Sequence, residues 1–466
     1  MKNSTYIFLF LISCTSLFSQ GIKDSVFQIQ EVRIAAEKIF EKENAGIKEL
    51  QIDTMILKEK VNMNLSDILS ENSNIHIKNY GRGALSTASF RGTAPSHTQV
   101  SWNGININSP MLGMVDFSLI PVYIIDEICL QHGPASLQKQ SGGIGGHISI
   151  SNNPAWNNRM SGRYYQGIGS YSTYDEFLQL NLGSQVLQSK TRLYHNYSKN
   201  NYEFINKFKS GHPSEKNEQA DFSKYGMMQE LYFRPSARNI ISARIWFQDA
   251  YRSIPTVLSD ESGDDSKQKS NRQDDQTIKF VLESKHYFDN LKIALRSGLD
   301  HQELDYSMTY QASETGIRKL VNSASRMSSW YNSASLDYDL TGKLNLVFSA
   351  DHRFYDVSSY DSINYTGYRV NRNDFLFYTA AAINLVKQVN INVSMRKEWF
   401  GEATTPIIYS LGADYKPLPG KNLVIKANIA RNFHYPGLND LYWQPGGNPE
   451  LLPEQGLGYE GGIHHV

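Results

Sequence analysis

Histidine is the residue type here most able to hold a transition metal, and of the 12 present two are adjacent, His464 and His465. Neighbours on a strand point to opposite faces, so this pair makes a poor chelate. Ser and Asp are plentiful, but no Gly-x-Ser-x-Gly elbow stands between a strand and a helix pattern, which removes the usual centre for nucleophilic hydrolysis. The stretch Asp260-Glu261-Ser262-Gly263-Asp264-Asp265, with Asp274-Asp275 after it, offers the hard oxygen ligands that calcium takes. Its spacing is not that of an EF-hand, and a solvated acidic loop explains the same residues. Gly142-Gly143-Ile144-Gly145-Gly146 could be read as a phosphate loop, but no Lys-Ser/Thr and no helix pattern follow it. Backbone crowding at a junction accounts for these glycines better. No catalytic grouping remains, and the chain reads as a non-enzyme without a cofactor.

The amino terminus sets the compartment. Met1 and Lys2 lead into an apolar run from Tyr6 to Ile12, followed by Leu17-Phe18-Ser19-Gln20, the pattern of a secretory signal cut near Ser19. Leu11-Ile12-Ser13-Cys14 also fits a lipobox that would place lipid on Cys14. The short apolar run before Cys14 and the Phe18-Ser19-Gln20 exit favour ordinary cleavage. Removal of the signal leaves Cys129 as the one cysteine, so no disulfide framework exists. Its run Ile124-Ile125-Asp126-Glu127-Ile128-Cys129-Leu130 reads as a strand, with Cys129 a small buried filler. The 46 basic and 46 acidic side chains cancel, which removes the electrostatic case for nucleic acid. Mean hydropathy is −0.45, and after the signal no apolar run approaches the roughly 18 residues of a membrane helix. A membrane β-barrel stays open, because alternating strands average to a polar score. The 28 Tyr and 21 Phe suit its interfacial girdles.

Two regions must position whatever binds. From Gln20 to about Asn153 short helices, short strands and Gly-rich turns alternate. A helix is expected from Ser66, as N-cap, through Asp67-Ile68-Leu69. Strands are expected at Ile75-Ile77, Ala88-Phe90, Gln99-Trp102 and Ile148-Ile150, and Asn103-Gly104 signals a type I′ hairpin. Beyond Trp156 long alternating strands take over. Val389, Ile391, Val393 and Met395 interleave with Asn390, Asn392, Ser394 and Arg396. The runs from Leu344 and from Leu423 behave alike. Period two with one apolar and one polar face is an antiparallel sheet.

Connection lengths sharpen that reading. Gly183-Ser184, Pro235-Ser236, Asp289-Asn290, Thr341-Gly342, Lys387-Gln388 and Pro417 to Lys421 are short. Between them lie polar stretches expected to be long loops: Lys199 to Phe222, Tyr251 to Asp275, Ser307 to Ser323, Val357 to Arg372 and His434 to Gln455. Two further connections, near Gly169 and Gly401, are short and break the alternation. Segregation of loop length by side is what an outer-membrane barrel requires.

Four separated motifs then carry a family resemblance. Gln30-Glu31-Val32-Arg33-Ile34-Ala35-Ala36 looks like a Ton box. FRGTAPSHTQVSWNGININSP, from Phe90 to Pro110, resembles the plug core of TonB-dependent outer-membrane receptors. HGPASLQKQSGGIGGHISI, from His132 to Ile150, resembles the segment that closes the plug. In it His132 stands where the family commonly has Arg, and Gln138-Lys139-Gln140 replaces a frequent Tyr-Gly. YPGLNDLYWQPGGNPELLPE, ending at Glu454, resembles a long outer loop leading into a barrel strand. The resemblance implies a signal peptide over 1–19, a Ton box and linker over 20–45, an α+β plug over 46–153 and a transmembrane β-barrel over 154–466. Family barrels have 22 strands and about 14 are counted here, so the barrel is expected to be incomplete.

The family also implies transport across the outer membrane, coupled through Gln30 to Ala36 to TonB, with outer-membrane lipid around the barrel. Plug turns at Gly81 to Thr87, Thr93 to His97 and Asn108 to Gly113 would face outward. Ser96, His97, Asn108, Ser109, Met111, Leu112 and Trp443 are the expected ligand contacts. The Arg91 to His97 turn and the Asn439-Trp443 loop look most like the cobalamin-receptor branch. A ferric siderophore or haem receptor is the alternative, and a non-transporting surface receptor or adhesin on this scaffold is a third.

Overall fold

The computed structural model describes residues 45–133, 142–255, 267–312, 316–386, 388–418 and 423–465. The signal segment, Cys14, Gln30 to Ala36 and the acidic run Asp260 to Asp265 lie outside them.

The first described region is a conventional globule. Helix α1 (Thr54–Glu59) is capped by Asp53, whose side chain accepts from Met55 N at 2.8 Å. Helix α2 (Leu65–Asn72) begins earlier than expected. Asn64 is the cap, and Asp67 reaches back to accept from its backbone N–H at 3.1 Å, while Ser66 sits inside the first turn. That is the reciprocal N-terminal pairing of a cap residue with an acidic residue three positions on.

Seven short strands accompany the helices: β1 (Lys48–Ile52) before them, then β2 (His76–Asn79), β3 (Ser86–Ser89), β4 (Thr98–Trp102), β5 (Ile105–Asn106), β6 (Glu127–His132) and β7 (Gly146–Ser151). Five form one sheet in the order β1-β6-β7-β4-β5, with only β4 and β7 parallel. Strands β2 and β3 pair as a separate hairpin. Asn103 and Gly104 join β4 to β5 with φ of 48° and 85°, as a type I′ turn demands. Gly104 has a second reason to lack a side chain, because a Cβ there would collide with the Arg296 guanidinium.

Trp102, Phe90, Val100, Ile124, Ile128, Leu130, Ile148 and Ile150 form a core with essentially no exposure. Two expectations change here. Val122–Ile124 is a 3-10 turn and the strand starts only at Glu127. Cys129 is half-buried rather than buried, on the β6 face opposite Leu130, with its thiol donating to Glu49 Oε1 at 2.7 Å.

The second region is one antiparallel sheet. Its strands are β8 (Met160–Gly169), β9 (Thr173–Gly183), β10 (Leu187–Ser198), β13 (Phe222–Ser236), β14 (Asn239–Ser253), β15 (Lys267–Tyr287), β16 (Leu291–Ala312) and β17 (Gly316–Asp339). It continues with β18 (Leu344–Asp361), β19 (Thr366–Val386), β20 (Val389–Phe400), β22 (Ile408–Tyr415), β23 (Leu423–His434) and β24 (Glu454–His465). A small hairpin, β11 (Glu203–Ile205) with β12 (Ser214–Lys216), fills the connection after β10, and β21 (Ala403–Thr404) pairs only with β20. Each strand otherwise pairs with its sequence neighbours, and β8 and β24 are the two ends of the sheet and do not pair with each other.

The alternation expected from sequence is present, with burial opposite to that of a water-soluble sheet. On β20, Asn392, Ser394, Arg396 and Glu398 are each at most 4 % exposed, whereas Met395 between them is 48 % exposed. Polar side chains line the inner, buried face and apolar ones face outward, as a lipid-facing barrel wall requires.

Three of the expected loops are largely strand. Asp274 and Asp275 lie within β15, Ser307 to Ser323 is mostly the ends of β16 and β17, and Asp361 and Thr366 bound a tight turn. Strands β15, β16, β17 and β19 run 21, 22, 24 and 21 residues, about twice the 9–11 that cross a bilayer. Their far ends stand outside the apolar layer and need no apolar face, so composition alone reads them as loop. The segregation of connections survives, with tight turns at one end and these ribbons, the β11–β12 hairpin and the His434–Glu454 connection at the outer one.

Candidate functional site

The seam between the globule and the sheet is polar. Asp126 takes Lys190 Nζ at 2.7 Å and Arg192 at 2.6 Å, and Arg192 also meets Glu230 at 3.2 Å. Burial alone would raise the Asp126 carboxyl, but Arg192 and Lys190 outweigh it and hold the group well below the usual carboxylate range. Arg252 meets Asp116 at 2.6 Å, and Lys224 Nζ donates to Asn64 Oδ1 and the Ser118 carbonyl. Charged groups at such a seam fix register more than they add stability.

At the outer end three segments converge. Turn Pro95–His97, the loop from Asn108 to Gly113, and a short helix α3 (Leu438–Tyr442) in the β23–β24 connection meet there. The first backbone N–H groups of α3, at Leu438 and Asn439, donate to the Pro110 and Met111 carbonyls at 3.1 and 3.0 Å. Leu438 and Leu441 then close over Met111, with Met327, Tyr355 and Val357 of the wall completing an apolar cluster. Beside it a cavity of about 520 Å³ opens between the globule and strands β14 to β17. Leu85, Ser109, Leu112 and Met114 form its floor, with Trp246 and Met327 on the wall.

The seven expected ligand residues all lie at this end, in different roles. Ser109 and Leu112 line the cavity, and Leu112 is 41 % exposed. Asn108 is buried and occupied: it accepts from Val100 N at 2.8 Å and donates to the Thr98 and Gly113 carbonyls. It staples the loop. Met111 is buried beneath α3. Trp443, just past α3, sets its ring edge-on to Tyr368, whose hydroxyl donates to Asn439. Ser96 is half-buried against Gly113, and its carbonyl accepts from Gln99. His97 lies beside His434 and Glu454.

Sequence reasoning missed the barrel side of the cavity, because Trp246, Met327 and Lys279 come from three strands with no shared spacing. It also missed that the plug arginines are already paired. Arg82 meets Asp175 at 2.8 Å and Arg91 meets Glu460 at 2.6 Å. Asp274 and Asp275 are consecutive on β15 and face opposite sides. Asp274 pairs with Arg272, and Asp275 faces inward and accepts from Gln273.

Comparison with known proteins follows the same division. The TonB-dependent receptor plug domain matches residues 47–147, and the TonB dependent receptor-like β-barrel matches residues 234–464. A vitamin B12 transporter BtuB of Vibrio vulnificus (strain YJ016) is 24% identical over 438 residues, covering 93% of this chain and 67% of its own length. A second, from Photobacterium profundum, is 23% identical over 421 residues, covering 87% and 63%. The chain thus spans about two thirds of the length of these curated relatives. Among solved structures, the siderophore receptor PirA from Acinetobacter baumannii has a TM-score of 0.70 at 15% identity, over 91% of this chain and 69% of its own. At that identity the likeness is one of fold. An α+β plug followed by an antiparallel sheet with a polar inner and an apolar outer face, matched in that order, makes this chain a member of the TonB-dependent receptors of the outer membrane.

Proposed function

We propose that the protein binds a large, uncharged-to-amide-rich nutrient of the cobalamin class at the outer face of its plug and passes it to the periplasm. Energy would arrive from TonB through Gln30 to Ala36, which lie outside the described residues. A plug that fills a wide lumen has to be moved for cargo to pass, and no nucleotide is available at an outer membrane. A partner that adds a strand to an extended segment is a direct way to deliver that force.

The observation that carries the cargo class is the charge state of the floor. The plug arginines Arg82 and Arg91 are engaged by wall carboxylates, the cavity's own cations Arg252 and Lys279 meet Asp116 and Asp300, and Ser109, Leu112 and Met114 present hydroxyl and apolar surface to the cavity. A ferric catecholate asks for unpaired cations. A corrin asks for an apolar face and hydrogen bonds to amides. The two vitamin B12 transporters among the relatives support the same choice.

Equilibrium binding of cobalamin to the receptor in detergent tests it. Leu112→Trp fills the floor and is expected to weaken binding at least about tenfold, or about 1.4 kcal/mol. Tight binding of a ferric chelate or haem with no cobalamin binding moves the assignment to the iron-carrier reading. Cobalamin binding without uptake, unaffected by Ile34→Pro, favours a non-transporting surface receptor.

A further inference from the structure

The structure assigns a binding site for a divalent transition-metal ion of the zinc class to His97, His434 and Glu454, bridging the plug to the barrel wall at its outer end. His97 ends the Pro95–His97 turn, His434 is the last residue of β23 and Glu454 the first of β24. One ligand atom from each lies within 4.8 Å of the others. His97 Nε2 and Glu454 Oε2 are 3.0 Å apart, and the two rings meet edge to face at 5.0 Å. Donors about 2.0–2.1 Å from a tetrahedral ion stand roughly 3.3 Å from one another, so small side-chain rotations complete the set.

Two features point to a cation rather than to an ion pair alone. His97 Nε2 is sealed from solvent and no hydrogen bond of proper geometry reaches it, although the Glu454 oxygen is close. His434 Nδ1 stands 3.3 Å from the Gly142 carbonyl. That contact holds the proton on Nδ1 and leaves Nε2 as the ring's lone pair, the outer support that metal-binding imidazoles ordinarily have. The surrounding backbone is fixed as well. Gly145 N donates to the His97 carbonyl at 3.1 Å, and Asn432 Nδ2 donates to the Gly143 carbonyl at 2.9 Å. The Glu454 side chain is 59 % exposed, which gives the ion a route in and leaves a position for water. Two imidazoles and one carboxylate suit zinc and its neighbours better than calcium or magnesium, which prefer all-oxygen sets. The site is independent of the cargo reading, since none of the three residues lines the cavity.

The test uses the chelator-stripped protein in detergent and Zn²⁺ alone, titrated against a chromophoric chelator at neutral pH. One zinc per chain is expected. His97→Gln, His434→Gln and Glu454→Gln should each weaken it by at least about 30-fold, the scale on which metal sites respond to loss of a supporting group. Glu454→Gln alters a largely exposed side chain, so the fold survives it. X-ray absorption of the zinc-loaded protein should show two imidazole nitrogens, and added Ca²⁺ should not compete. Absence of zinc binding overturns the proposal. So does binding that persists in all three variants and disappears in His464→Gln/His465→Gln.

Discussion

The plug and the barrel wall of this receptor use the same residue types and bury them in opposite senses. In the plug, Trp102, Ile128 and Ile148 are sealed, while charged side chains such as Lys48, Glu49, Lys58 and Glu59 face out. In the wall, Arg192, Glu230, Arg396 and Glu398 are sealed, while Leu411, Phe377 and Tyr459 stand exposed. Burial in the first case removes apolar surface from water. In the second the apolar surface goes to lipid, and the sealed residues are polar groups held against the plug or one another. A buried residue therefore reports stability in one region and registration in the other.

The largest expected effect is in the plug. Trp102 is fully sealed, donates from Nε1 to Asn152 at 3.0 Å and packs edge-on against Trp246 of the wall at 5.7 Å. Trp102→Ala should cost the plug about 3–5 kcal/mol, because the cavity it leaves is lined by rigid protein. Leu411→Ala on the lipid face should cost under about 1 kcal/mol, since acyl chains are as apolar as leucine and fill the space. Amide hydrogen exchange resolved by region measures both. Equal costs would erase the contrast between the two burial schemes.

Reversing the sense of burial in the wall comes next. Val393 faces outward on β20 and pairs with Ala381 and Leu411. Val393→Arg should destabilise the membrane-folded state by about 2–4 kcal/mol, the cost of a cation near the bilayer midplane. Asn392→Arg, one residue away on the polar face, should cost less than half of that. Folding titrations into vesicles give both values, and equality would mean the faces are misassigned.

The contrast also explains how much the sequence disclosed. Alternation on β18, β20 and β23, the Asn103-Gly104 turn and the plug motifs were legible because each depends on local geometry. The ribbon halves of β15, β16 and β17 were not, because outside the bilayer a strand needs no apolar stripe. Of the expected ligand residues, Ser109 and Leu112 reach the cavity. Asn108 and Met111 looked like contacts for the same reason, a polar or soft side chain in a tight turn, but they hold the loop and its cover. The grouping of His97 with His434 and Glu454 had no signal in spacing, since its parts meet only when β23, β24 and the plug turn are assembled.

The smallest effect probes the seam where the two schemes meet. Asp126 is a plug residue held by Lys190 and Arg192 of the wall. Asp126→Asn removes the plug's charge and leaves both cations to Glu230, which lies 3.7 and 3.2 Å from them. Loss of one partner of a sealed ion pair costs about 3–5 kcal/mol, but Asp126 is 27 % exposed and Glu230 remains. An effect of about 1–2 kcal/mol is therefore expected, as screening by solvent and the second carboxylate divide the loss. The pH dependence has a definite sign. A carboxyl whose folded pKa is depressed contributes its full stability above the unfolded value of about 3.9 and loses it as pH falls through the folded value. Plug release, followed by protease access to the Lys190–Arg192 wall or by exchange of plug amides, should thus be flat above about pH 5 and rise below about pH 4. In Asp126→Asn the release should already be raised at neutral pH, and its acid response should be shallower. A variant that matched the unmodified protein at every pH would show that apolar contacts alone seat the plug and that the Asp126 pairs contribute nothing to holding it.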